Sequence, residues 1–487
     1  MNKTNWIIGS LILIALISFL QKDWIINVVQ NKIIGNQNYK NETLVIGLNS
    51  PATDLGPQAI NLNNAIRTAN IYEGLVSFDS HLKISPSLAV SWGNIDESTW
   101  EFKLRKGVIF HDGSSFNAQD IINCYENIKN TPDSQVINYL KAIKSIEKID
   151  DYRIKIITHD PDPLLLSKLT KFSIHKPEYI GTGSYKIREW VKGKTLSLTV
   201  FSDYWGRQPV YRNVEYRVIP SKTQRNQMFD DGEINILVAV PREQTSSLPR
   251  EQLKSSYGLE VSFIMFNLDH SILKDIDIRK AFRLMFNPKK IEEIGNYFVR
   301  QTAQFVAPGV YGYNNLIKPI KYKEESRPKN LFGKKLETIS IDYLAPYQTL
   351  VDYLKKQMSE AGFLVYTNPL SADKLLEKIR NNESDIYILG WQAEDGDAEG
   401  FLNTFIHSGG EFNNGRYTNK EIDQLIDESQ KEMDPKKRLQ LLKSIMPLIH
   451  NDVIGIPLFE SSRVYAIQED IEWEPRLDGL VMAKEVE

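Results

Sequence analysis

The chain has 487 residues, 41% of them hydrophobic and 25% charged, enough to bury a large core and to fold as two or three domains. Its 59 Lys and Arg against 62 Asp and Glu leave a net charge of -3 with both signs mixed along the chain, so nucleic acid is excluded as a partner. The one cysteine, Cys124, excludes an intramolecular disulfide and a cysteine-based zinc site, and reads as a small apolar residue buried on a helix.

After Lys3, residues Thr4 to Gln21 carry no charge, and Trp6 to Leu20 is a nearly unbroken apolar run. Its length lies between a signal-peptide core and the ~20 residues of a full membrane span. No small-x-small cleavage signature follows, and no cysteine stands behind the run to take a lipid. The expectation is an N-terminal hydrophobic anchor helix, with a cleaved signal peptide as the alternative. The positive-inside rule keeps the basic end in the cytoplasm and puts the rest of the chain outside. Residues 22–42, rich in Asn, Gln and Lys, read as a tether.

Thr43 to Leu48 predicts a short strand ending in the turn-prone stretch Asn49 to Pro57. From there to about residue 260, segments such as Trp100 to Leu104 and Arg153 to Ile157 alternate with period two and predict half-buried strands. Helices such as Asn117 to Asn130 are fewer. The C-terminal half alternates differently. Thr338 to Tyr343 predicts a strand, and Gln348 to Ala361 a helix with Leu350, Val351, Leu354 and Met358 on one face and Gly362 as its stop. Strand Phe363 to Thr367, helix Ala372 to Asn381 and strand Asp385 to Trp391 follow. That βαβαβ order implies parallel strands, whose ligands sit beyond the carboxyl ends, so the loop Gln392 to Gly400 (QAEDGDAEG) is the first place to look for a site. Thr418-Asn419-Lys420-Glu421 reads as a capping box, Asp434-Pro435 as the start of another helix, and Gly455 to Phe459 and Arg463 to Ile467 as the closing strands.

The seven histidines are scattered without a pair at metal-ligand spacing on one helix, so no metal and no cofactor is expected. Gly181-Thr182-Gly183-Ser184-Tyr185 lacks the endings of a phosphate loop and of a nucleophile elbow, and reads as a tight turn. With no nucleophile and no acid–base pair, the protein is expected not to be an enzyme.

Some segments carry a more specific pattern. Ile71-Tyr72-Glu73-Gly74-Leu75-Val76, then Ile84 to Trp92, then Trp100 to Gly113 with its Phe110-His111-Asp112-Gly113 end resemble, in order and spacing, the family 5 extracellular solute-binding proteins. This is the oligopeptide, dipeptide and nickel receptor family of ABC importers. The match continues through Gly181 to Tyr185, Asp277 to Phe282, Leu389-Gly390-Trp391 and Arg416 to Asp423, nearly the whole chain after residue 42. The resemblance implies an α/β, two-lobed periplasmic-binding-protein fold, type II and cluster C-like. Behind the anchor and tether of residues 1–42, lobe I would hold residues 43–260, lobe II 261–456, and residues 457–487 would return to lobe I. It also implies a monomeric receptor in the periplasm or at the outer face of the cytoplasmic membrane. That receptor would close its hinge over an extended peptide-like ligand and deliver it to ABC permease subunits. The same fold binding a metal chelate or amine, or serving as a non-transport envelope scaffold, is the alternative.

Peptide receptors of this family carry an acid three positions after the Trp that pairs with the ligand ammonium. Here that position is Glu394, one methylene longer than the usual Asp, with Asp395 and Asp397 as neighbouring candidates and Trp391 as a cleft wall. Asn49, Ser50 and Thr53 would lend backbone groups to the ligand, and Tyr185 would line the cleft. Dipeptide receptors hold the ligand carboxylate with an arginine just before the helix at Gln348; Ala345-Pro346-Tyr347-Gln348 contains none, which favours longer peptides or another cationic ligand.

Overall fold

Two long strands organise the molecule. In a computed structural model, which describes residues 40–487 apart from 59, 132–133, 242–244, 246, 296–297, 334, 394 and 414, Leu253–Phe266 and Gly455–Ile467 pair antiparallel at the centre of an 11-stranded sheet. From Val261 to Phe266 every residue of the first strand is buried, as a central strand covered on both faces requires. The ladder shifts register twice: Tyr257 faces Ser462 but Val261 already faces Glu460, and Ser262 faces Phe459 but Phe263 faces Pro457. Gly258, Leu259 and Glu260 therefore bulge, and the sheet bends at that point.

On one side of the crossing the sheet continues through Ile236–Leu237, Lys40–Leu48, Tyr211–Val218, Thr195–Val200 and Tyr185–Val191. On the other it continues through Ile386–Gln392, Glu337–Leu344 and Phe363–Leu370, which run parallel as the βαβαβ pattern predicts. The crossover helix Gln348–Glu360 buries Leu350, Val351, Leu354 and Met358, in one cluster with Ile339 and Ile341. Each such side chain contributes about 1.5–3 kcal/mol. A separate four-stranded antiparallel sheet, Ala89–Asp96, Thr99–Leu104, Arg153–Thr158 and Ile143–Asp150, packs on helix Ala118–Lys129. Cys124 lies in that core, its thiol donating to the His175 carbonyl at 3.0 Å.

Three expectations shift. The first strand starts at Lys40, which pairs with Tyr211 ahead of an irregularity before Thr43, so the tether's last residues join the sheet. The cap of helix Lys420–Ser429 is Asn419, not Thr418: its side chain accepts from the Glu421 and Ile422 amides. The two closing strands are one. Glu460-Ser461-Ser462 looks like a polar break in sequence, but Glu460 is 2% exposed and accepts from Arg300 at 2.6 Å. Strand Val299–Gln301 covers this stretch. The anchor expected over the N-terminal run lies outside the described residues. Among the described residues no helix is long and apolar enough to cross a membrane.

Candidate functional site

A cavity of about 470 Å³ opens where strand Leu253–Phe266 meets the 70–87 segment, within the ~300–1,000 Å³ of ordinary small-ligand sites. Leu259, from the bulge, and Gln392, at the end of strand Ile386–Gln392, form part of its wall. Tyr72, Ser77 and Leu82 come from the first segment, Lys171 from the turn after helix Leu165–Leu169, Ser173 from the short strand Ser173–Ile174 that follows, and Arg476 and Lys484 from the C-terminal tail.

The turn Gly181-Thr182-Gly183 lies flat on the backbone of this wall. A Cβ on Gly181 would stand 2.0 Å from the Ile71 carbonyl oxygen, and one on Gly183 2.5 Å from that of Asn70. Only glycine allows that approach. Thr182 is thereby aimed at Glu73, whose carboxylate accepts from the Thr182 and Tyr204 hydroxyls and the Trp205 indole, each at 2.9 Å. Burial pushes the Glu73 carboxyl up, while Lys484 and the three donors pull against it.

The acidic loop beyond Gln392 stands beside Leu82 and contributes no described residue to the cavity wall. The Gly396 carbonyl accepts from the Tyr311 amide at 2.7 Å, and the Ala398 amide donates to the Tyr311 carbonyl at 2.9 Å. Gly396 has φ +71, and a Cβ there would lie 3.8 Å from Leu82. Leu82 packs against the core beneath the acidic loop, and Met433 packs against the core of the four-stranded sheet. Asp395 is half-buried; burial first, and the charge of Asp397 second, push its carboxyl up to about 6, against the pull of Lys171.

Asp397 has a different place. It is 4% exposed, and both its oxygens accept from the Arg438 guanidinium, at 2.5 and 3.0 Å, while its Oδ1 also accepts the Glu399 amide at 2.9 Å. Arg438 reaches Glu399 as well, at 2.7 Å. Burial disfavours this cation, but Asp397 and Glu399 outweigh it and hold the guanidinium above its ordinary range. The expectation that Asp397 meets the ligand is corrected here: its acceptor sites are spent inside the fold.

The other expected residues divide. Glu394 lies outside the described residues. Trp391 packs edge-on to Phe405 with ring centroids 5.3 Å apart, and the cavity wall takes its neighbour Gln392 in its place, since successive strand residues face opposite ways. For the same reason Ser184 lines the cavity while Tyr185 turns into the core, 0% exposed, its hydroxyl donating to the Tyr211 carbonyl; Tyr185 is a packing residue. Asn49, Ser50 and Thr53 are outside the cavity wall: the Ser50 carbonyl accepts from Arg67, the Thr53 hydroxyl accepts from Asn64, and Asn49 accepts from the Ser50 hydroxyl. Sequence reasoning missed Lys171, Tyr204 and the tail from Arg476 to Glu485, and read Glu73 only as part of a family motif. No spacing connects these segments.

The family model described as bacterial extracellular solute-binding proteins, family 5 (middle), matches residues 83–413, more than half of the chain. Heme-binding protein A of Haemophilus influenzae is 26% identical over 449 residues, covering 80% of this chain and 82% of that protein. A probable di/tripeptide-binding protein 5 of Pseudomonas aeruginosa is 22% identical, covering 87% and 92%. Among solved structures, the periplasmic binding protein DppA of Helicobacter pylori in complex with peptide STSA has a TM-score of 0.71 at 23% identity, over 93% of this chain and 99% of that one, a likeness of fold. Motif order in the sequence and strand order in the structure agree with the matched segment: the chain belongs to the bacterial extracellular solute-binding proteins, family 5.

Proposed function

We propose that this protein is the solute-binding receptor of an ABC importer and holds a short peptide-like ligand in the 470 Å³ cavity. The supporting observation is the position of that cavity. It is walled by the central strand Leu253–Phe266 through Leu259 and by the neighbouring strand Ile386–Gln392 through Gln392, together with the 70–87 segment, so a ligand there touches the bulge and both sides of it. On this reading lobe I holds residues 43–260, lobe II 261–456 and the return 457–487, with the bulge at Gly258 to Glu260 as the flexing point. Asp395, with Glu394 beside it, takes the ligand ammonium, and Trp391 stiffens the loop that carries them. The receptor is monomeric, tethered by its N-terminal run or released by its cleavage, delivers to a permease and catalyses nothing. Native mass spectrometry of the full chain, purified without refolding, tests the assignment. A co-purified peptide is expected; a haem, a metal chelate, or an empty cavity that takes up no peptide from a mixed library would overturn it.

A further inference from the structure

The cavity carries an unspent charge. Of the acids on its wall, Glu73 is met by three donors, and Asp79 accepts the His81 and Lys83 amides at 2.8 and 2.9 Å. Asp478 and Glu485 both pair with Arg476, at 2.7 and 2.9 Å, which also donates to the Phe78 carbonyl. Lys484 stands 3.4 Å from the Tyr204 hydroxyl and within the field of Glu73. Lys171 alone among these groups has no partner: no acceptor of the described residues lies within bonding distance of its ammonium, and Asp395 acts on it only through space. The contrast with Lys168, one helical turn earlier, is direct, since that ammonium is held by Asp162 at 2.7 Å.

A half-buried ammonium without a direct hydrogen-bonding partner loses hydration and recovers only a through-space attraction in exchange. An anion entering the cavity reverses that balance. The segment Ala345 to Gln348 offers no arginine for the purpose. We infer that Lys171 is the group that receives the ligand's carboxylate, so that the site takes peptides with a free C-terminus and discriminates against the same peptides as amides. This rests on the peptide reading above. A charge-assisted bond formed in a partly dehydrated site makes the free acid bind at least about tenfold more tightly than the amide.

The test offers the full chain a tripeptide library as free acids and as C-terminal amides, with native mass spectrometry and titration calorimetry on the best binder. The native protein should prefer the acid at least about tenfold. Lys171→Met should bind acid and amide alike with an unchanged melting temperature, and Lys171→Arg should restore the preference. Binding of acid and amide with equal affinity by the native protein, or a preference that survives in Lys171→Met, overturns the role of Lys171 and leaves the peptide reading standing. Binding of neither series overturns the peptide reading, and with it the carboxylate contact.

Discussion

Asp397→Asn separates an acid that builds the fold from one that meets the ligand. The native carboxylate and the Arg438 guanidinium are 4% and 3% exposed, and the Arg438 Nη1 and Nη2 bonds are 2.5 and 3.0 Å long. Breaking such a buried pair costs ~3–5 kcal/mol when one charge is left alone. Here Arg438 keeps Glu399 at 2.7 Å and the Ser429 carbonyl at 3.0 Å, and Asn still accepts the Glu399 amide. What remains is one amide N–H set against a guanidinium N–H, plus a weakened attraction, so the cost falls to about 2–3 kcal/mol. At ~2–4 °C per kcal/mol for a unit of this size, the calorimetric melting temperature should drop by about 5–10 °C. Peptide affinity at 25 °C, where the variant is still folded, should stay within about twofold of native. A melting temperature unchanged alongside a lost ligand affinity would refute the reasoning and return Asp397 to the site.

Three further outcomes follow from the same geometry. Gly183→Ala places a methyl 2.5 Å from the Asn70 carbonyl oxygen, where backbone must move, and should cost about 1–3 kcal/mol in a urea titration; a native midpoint would mean the turn is loosely seated. Asp395, raised to about 6, should make binding of an amine-ended peptide fall as pH drops from 7 to 5, because the carboxylate that receives the ammonium is lost. The same shift acts on stability in the other sense. An acid whose pKa is raised on folding contributes stability that is full below its ordinary ~3.9 and is lost as pH rises through 6, so in the ligand-free protein Asp395→Asn should remove that slope. A binding profile equally steep in Asp395→Asn would assign the ammonium contact elsewhere.

Much of the fold is legible along the chain because its signals are local. The helix at Gln348 to Glu360 announces itself through Leu350, Val351, Leu354 and Met358, and its flanking strands through period-two and apolar runs, so the parallel unit can be assembled residue by residue. The closing strand fails the same test at Glu460 to Ser462. Those residues are polar because they sit at the crossing, where Arg300 and the Phe298 carbonyl answer them, and both partners lie some 160 positions away, at separations of 160 and 164. A period-two pattern reports the two faces of a strand and is silent on such distant partners.

The site is less legible, for a related reason: the acidity of a loop does not say which acids are already spent. Glu394, Asp395, Asp397 and Glu399 read alike in QAEDGDAEG, yet Arg438, 41 positions on, claims Asp397 and Glu399. The cavity wall shows the same effect with the sign reversed. Lys168 and Lys171 are two similar cations three residues apart, and Asp162 neutralises the first while the second faces the cavity with no direct partner among the described residues. Binding chemistry in this cleft is therefore the residue of internal pairing: a charged side chain is available to a ligand only when the fold has supplied it no counter-charge. By that criterion the cavity wall presents Lys171, while Asp395 lies outside the wall and acts on Lys171 only through space. On the proposed reading, a ligand that brings both an ammonium and a carboxylate would meet Asp395 and Lys171 together and replace their attraction through space with two direct contacts.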